Sequence, residues 1–134
     1  MTTNHLEKIA AQLGAYELDA MLLTSRPGEF YAVGFYGEGI VLVTPEECRY
    51  YTDSRYLEAA QREVTGARVI QIGRGRSYKA LLRQAVEELG IHRLGFEDEE
   101  MTVAQHRRYA EALPCELIGA QKLPNTLRGS KDAG

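Results

Sequence analysis

The sequence predicts an α/β domain: a mixed sheet of about six strands with helices on both faces and one antiparallel hairpin among the strands. Three observations carry this. Segments with helical spacing alternate with short, continuous apolar or β-rich runs. One pair of those runs is joined by only three turn formers, too few for a crossover, so the two strands must be antiparallel. The chain has 134 residues, 44% hydrophobic and 26% charged, which makes one domain. A domain of that size buries roughly two-thirds of its unfolded surface and needs no disulfide or metal to fold.

The elements follow in order. Asn4 is placed to cap a first helix, with Glu7 as its capping-box partner. Leu6, Ile9, Ala10 and Leu13 form its apolar stripe, and Gly14 is its expected stop. Residues 18 to 24, LDAMLLT, read as a strand covered on both faces. Ser25 and Pro27 open a short helix carrying Phe30, Tyr31 and Val33. It runs into the glycine-punctuated stretch Gly34-Phe35-Tyr36-Gly37-Glu38-Gly39. Residues 40 to 44 and 48 to 52 flank Pro45-Glu46-Glu47 and form the hairpin. Asp53 caps a helix to about Val64, with Tyr56, Leu57, Ala60 and Val64 inward. Residues 67 to 72 are the next strand. Ser77 caps the clearest helix, whose stripe is Tyr78, Leu81, Leu82, Ala85, Val86 and Leu89 and whose stop is Gly90. Residues 93 to 96 are a strand, and Thr102 with Gln105 predicts a second capping box for a helix ending at Pro114. Residues 115 to 119 are the last strand, and residues 120 to 134 carry no complete element.

Sixteen Lys and Arg against nineteen Asp and Glu give a net charge of −3, so no global basic field invites nucleic acid or an anionic membrane. No run approaches the roughly 18 apolar residues of a membrane span. The start, MTTNHLEKIAAQLG, lacks the basic and apolar regions of a secretory signal. Cys48 and Cys115 have no metal or redox spacing and read as packed thiols in a reducing cytoplasm.

The chemistry-bearing residues are sparse. His5, His92 and His106 fall in different elements and suggest no metal ligand set; His106, among Val103, Ala110 and Leu113, belongs to a buried or boundary helix face. Glu97-Asp98-Glu99-Glu100 reads as a solvated loop before a helix N-terminus. No GxSxG elbow is present, and no catalytic nucleophile stands out. Gly73-Arg74-Gly75-Arg76-Ser77 joins a strand to a helix, so Arg74, Arg76 and Ser77 are candidates for anion binding, with a flexible turn as the plainer reading. Phe35 and Tyr36 either face a partner or fold back into the core. Arg55 opposes the dipole of the helix it opens, so it pairs with an acid or reaches a ligand.

Four stretches in this order resemble the N-terminal domain of the creatinase/prolidase/aminopeptidase P family of metallopeptidases, in its bacterial Xaa-Pro dipeptidase and aminopeptidase branch. They are LDAMLLTSRPGEFYAVGFYGEGIVLVT, YYTDSRYLEAAQ, ELGIHRLGFEDEEMT and LRGSKDAG. The resemblance implies a creatinase/prolidase N-terminal fold over residues 1–124, with residues 125–134 opening a linker to a catalytic domain that the chain does not include. It implies that two divalent metal ions (Mn, Co or Zn) sit on that other domain, held by two Asp, one His and two Glu, and that this chain holds no cofactor itself. The implied role is non-catalytic: dimerisation and substrate-pocket shape in a cytoplasmic Xaa-Pro peptidase. Its partners are then its own catalytic domain and a second subunit, its substrates Xaa-Pro peptides, with no nucleic acid and no membrane involved. A creatinase-like amidinohydrolase is a close variant. By position, Phe35, Tyr36, Glu38, Arg55 and Tyr56 would stand near the substrate of the partner subunit. In some prolidases that segment is longer and carries a histidine and acids; here it is short and glycine-rich. The alternative is a free-standing module, binding small molecules or anions through Arg74, Arg76 and Ser77, or peptides through Phe35 and Tyr36.

Overall fold

A computed structural model describes residues 5–35, 37–73 and 77–123. The elements are α1 (Leu6–Gln12), β1 (Ala20–Leu23), α2 (Arg26–Val33), β2 (Gly39–Val43), β3 (Cys48–Thr52), α3 (Ser54–Glu63), β4 (Arg68–Gln71), α4 (Tyr78–Leu89), β5 (Arg93–Phe96), α5 (Val103–Ala112) and β6 (Glu116–Gly119). The strands form one six-stranded sheet in the order β4-β3-β2-β1-β5-β6. The predicted hairpin is present, with Gly39 opposite Thr52 and Val43 opposite Cys48. A second antiparallel pair, β1 with β2, was not foreseen. It arises because α2 is short and returns the chain beside the strand it left. The other pairs, β1 with β5, β3 with β4 and β5 with β6, are parallel.

The strands explain the two-layer core. Successive side chains point to opposite faces, so Met21, Leu23, Val41, Val43 and Tyr50 meet the helix residues Leu6, Ile9, Leu13, Ala32, Val33 and Ala60. Ala20, Leu22, Ile40, Leu42, Tyr51 and Leu94 meet Leu81, Leu82, Ala85 and Val86 of α4 on the other face. β1 is buried at every position because it is central and covered twice, whereas edge strands β4 and β6 are only half-buried in their middles.

The helix signals hold unevenly. Ser25, Asp53, Ser77 and Thr102 each accept a backbone N–H at a helix start, and the Thr102–Gln105 capping box is complete. Gly90 ends α4 with a positive φ of 66°, a conformation glycine adopts without strain. The first helix differs. Asn4 lies outside the described residues, and His5 stands at the N-cap with no side-chain cap. Gly14 is no stop: the chain continues through a 3-10 turn, Gly14–Tyr16, and turns at Glu17, whose φ is +58°. Leu13 is buried, as the apolar stripe predicts, and only the stop differs.

α5 takes the boundary alternative of the sequence reading: it buries none of its residues fully, and Tyr109 packs half-buried against the core. Val103 is 75% exposed, and His106 is half-buried with its ring 5.1 Å from that of Phe96. The apolar positions of this helix are too few to define a stripe. Past β6, Ala120, Gln121 and Leu123 are buried, so the start of the tail belongs to the core.

The α4 layer should carry a measurable share of stability. Leu82 is fully buried against the sheet, so Leu82→Ala is expected to lower unfolding free energy by about 2–5 kcal/mol. A urea midpoint unchanged from the parent chain would show that α4 does not hold that layer.

Candidate functional site

The carboxyl ends of the five mutually parallel strands, β1, β3, β4, β5 and β6, open at one edge of the sheet, where β2 begins. Helices α2, α3, α4 and α5 all start there. Crevices outside the carboxyl ends of strands are where α/β sheets most often receive ligands. A cleft of about 360 Å³ lies at this edge, lined among others by Arg26, Glu29, Glu38, Tyr78, Gln105 and Tyr109.

The edge is braced by a buried carboxylate. Glu97 follows β5 and has 0% exposure, which corrects the reading of residues 97 to 100 as a solvated loop. Its Oε1 accepts the backbone N–H groups of Thr24 at 2.8 Å and Ser25 at 2.9 Å, and its Oε2 accepts the Ser25 hydroxyl at 2.8 Å. That hydroxyl in turn accepts the Gly28 N–H at 3.0 Å and caps α2. A Cβ on Gly28 would stand 2.5 Å from Glu97 Oε2, so the helix approaches the carboxylate as closely as glycine permits. Asp98 accepts the Gln121 N–H at 2.9 Å, tying the exit of β6 to the same loop. Asp98, Glu99 and Glu100 are exposed, as expected of that loop, and Glu97 alone departs from it.

The candidate residues divide. Phe35 folds back into the core, 6% exposed, with its ring edge-on to Tyr50 at 6.0 Å, so the core alternative is the one realised. Tyr36, Arg74 and Arg76 lie outside the described residues. Glu38 and Arg55 come together at 2.8 Å, and Arg55 also holds Asp53 at 2.7 Å. The acid that Arg55 needed is therefore supplied twice. Hydrogen bonding to Arg55 holds the Asp53 carboxyl below its usual range. Arg55 lies over the half-buried Tyr56 ring, 5.4 Å from its centroid. Ser77 is engaged as the α4 cap, accepting the Ala80 N–H at 3.2 Å.

Tyr78 was read only as part of a stripe, yet it ties the two candidate groups together. Its hydroxyl donates to the Glu38 carbonyl at 3.1 Å, which Thr52 Oγ1 also meets at 3.2 Å. Burial, with help from Asp53 and Glu29, pushes the Tyr78 phenol up to about 12. Glu29 was not singled out at all. It is 2% exposed and accepts a hydrogen bond from the Tyr50 hydroxyl. Burial raises its pKa, while Tyr50 and the amides of Gly39 and Gly37 oppose that rise. An acid in the first turn of a helix is ordinary for dipole reasons, so nothing in the sequence marks this one as inward-facing.

Chemically, the edge offers an exposed carboxylate and guanidinium held together, able to meet an ionic group of either sign by exchanging partners. Among the described residues no group of three or more His, Cys, Asp or Glu is arranged to hold a metal ion. Cys48 and Cys115 are half-buried free thiols whose pKa values burial raises.

Two outcomes test this geometry. Glu97→Ala strands the Thr24 and Ser25 amides and is expected to cost roughly 2–4 kcal/mol; a chain as stable as the parent to urea would refute the brace. The second concerns pH. Because the Glu29 pKa is raised on folding, its contribution to stability is present at low pH and lost as pH climbs past the ordinary carboxyl value. Asp19 and Asp53, both lowered, contribute the opposite slope, lost as pH falls. Glu29→Gln should therefore gain on the parent as pH rises above the ordinary carboxyl range, and level off once Glu29 is ionised in the folded chain. A midpoint difference that is flat with pH would exclude it.

Comparison with known proteins places these features. A family model described as the Creatinase/Prolidase N-terminal domain matches residues 5–129. The chain is 33% identical over 125 residues to "Uncharacterized peptidase YqhT" of Bacillus subtilis (strain 168), covering 92% of this chain and 35% of that protein. It therefore spans about a third of the length of that curated relative. An Xaa-Pro dipeptidase from Bacillus anthracis superposes with a TM-score of 0.85 at 30% identity, over 92% of this chain and 34% of that one. The N-terminal domain of cytoplasmic peptidase PepQ from Mycobacterium tuberculosis H37Rv gives 0.80 at 30% identity, over 92% and 97% of the two chains.

Proposed function

The chain belongs to the creatinase/prolidase N-terminal domain family, and from that premise we propose that it is the non-catalytic N-terminal domain of a metal-dependent Xaa-Pro peptidase. The observation that carries this is the match in extent. The chain aligns with nearly the whole of a solved N-terminal domain and with only about a third of the longer relatives. In this reading residues 1–124 are the domain and residues 125–134 open the linker to a catalytic domain, which would hold the two divalent metals. The domain contributes to a homodimer and to the shape of the substrate pocket. The whole protein acts on Xaa-Pro peptides in the cytoplasm; among the described residues no helix is long and apolar enough to cross a membrane.

The strand-end edge is the face we assign to the neighbouring subunit's substrate. Glu38 and Arg55 are its exposed charges, Tyr56 supports Arg55 from below, and Phe35 acts indirectly by packing under the turn that carries Glu38. An ion pair at such an edge suits a substrate with charged ends, because each end finds an opposite charge within reach.

Two measurements test the proposal. The chain alone should hydrolyse no Xaa-Pro dipeptide when supplied with Mn²⁺, Co²⁺ or Zn²⁺; metal-dependent turnover that follows the chain through purification would overturn it. In the complete peptidase, Arg55→Ala should raise KM for Xaa-Pro substrates several-fold with little change in kcat, the pattern of lost uniform binding. An unchanged KM would remove this edge from the substrate pocket.

A further inference from the structure

We propose that Glu29 and Tyr50 are positioning residues for the turn at residues 37 to 39: an acid–phenol pair inside the domain that fixes where Glu38 stands at the sheet edge. The inference rests on the reading of that edge as the substrate-facing one.

Glu29 sits in the first turn of α2 but points inward. Tyr50 lies on β3, fully buried, and donates its hydroxyl to Glu29 Oε2. The turn wraps this pair. Phe35 meets the Tyr50 ring edge-on, with the two planes at 88°. A Cβ on Gly37 would stand 2.8 Å from the Tyr50 hydroxyl oxygen, and one on Gly39 would stand 2.7 Å from Tyr50 Cζ. Both glycines are thus seated on the same phenol, closer than any side chain allows. The amides of Gly39 and Gly37 also favour the ionised Glu29 carboxyl. Glu38, between the two glycines, is turned outward with its side chain about half exposed.

A buried carboxyl is expensive unless it is hydrogen-bonded. A leucine at position 29 would fill the space, yet it would leave the Tyr50 hydroxyl without its acceptor and the turn without the charge its amides face. The acid therefore does something packing alone does not: it couples α2, β3 and the turn at one point. The Glu38 carbonyl is also met by the Tyr78 and Thr52 hydroxyls, so the backbone of the turn is held at several points while the Glu38 side chain is free to adjust to Arg55 or to a ligand.

Amide hydrogen exchange on the full 134-residue chain tests this. Tyr50→Phe keeps the ring on which Phe35 and the glycines pack and removes only the hydroxyl. It should speed exchange at Gly37 and Gly39 roughly tenfold, the scale of one lost hydrogen bond, while Met21 and Leu94 in β1 and β5 keep their protection. Glu29→Leu should do the same to a greater degree. Glu29→Gln, whose amide oxygen still accepts from Tyr50, should recover part of the loss. The proposal is overturned if Tyr50→Phe leaves Gly37 and Gly39 at parent rates. It is equally overturned if their exchange rises only in step with Met21 and Leu94, which would mark general destabilisation. No substrate, metal or second subunit enters this measurement. If exchange changes as expected while Arg55→Ala leaves KM untouched in the complete peptidase, the latch stands and the substrate-facing reading falls.

Discussion

The geometry of the functional edge depends on one buried carboxylate. Glu97 directly follows β5 and meets the first residues after β1, two strands that lie side by side and parallel. A parallel pair has no short connection to hold its ends together, and here 72 residues separate the Ser25 hydroxyl from its acceptor. The Thr24 and Ser25 amides would otherwise point into a protein interior without partners. By accepting both, and the Ser25 hydroxyl, Glu97 settles the direction in which α2 leaves the sheet. That direction then decides that Glu29 faces inward toward Tyr50.

How much of this is legible in the sequence varies with the range of the interaction. Where the cause is local, the reading is close. Ser77 and Gly90 bound α4 because a hydroxyl cap and a left-handed glycine act within a few residues of themselves. The Thr102–Gln105 box is local in the same way. Where the cause is tertiary, the reading fails. Residues 97 to 100 look like four equivalent acids, and only the packing of α2 against β5 makes the first of them different. Gly14 resembles a stop because it follows a stripe, but the turn is made three residues later by Glu17, where the chain must enter β1. Phe35 was balanced between display and burial; the space beside Tyr50, left free by two glycines, decides it.

The pairing of Glu38 with Arg55 lies between these cases. Each residue draws notice separately, one in a glycine-rich turn and one opposing a helix dipole. Their meeting is a consequence of register. With Gly39 opposite Thr52, the residue before one strand faces the residue after the other, so Glu38 falls beside Asp53 and within reach of Arg55. A slip of one residue would send the side chains of β3 to opposite faces, moving Tyr50 out of the layer in which Phe35 packs. The hairpin thus fixes the ion pair and its floor together, which is why a residue list could name the partners without joining them.

The same edge gathers four helix N-termini, an arrangement that often receives anions. In this chain much of that capacity is already used internally. Ser25 and Glu97 serve the start of α2, Asp53 the start of α3, Ser77 the start of α4, and Thr102 with Gln105 the start of α5. Glu29 and Glu38 add two acids beside the cleft against the one cation of Arg26. The positive ends of the dipoles are therefore met by the protein's own oxygens before any ligand arrives. What such an edge still presents outward is a pair of opposite charges on a turn braced from below. Under the proposed function, that edge suits a small molecule or peptide carrying both signs better than a free phosphate.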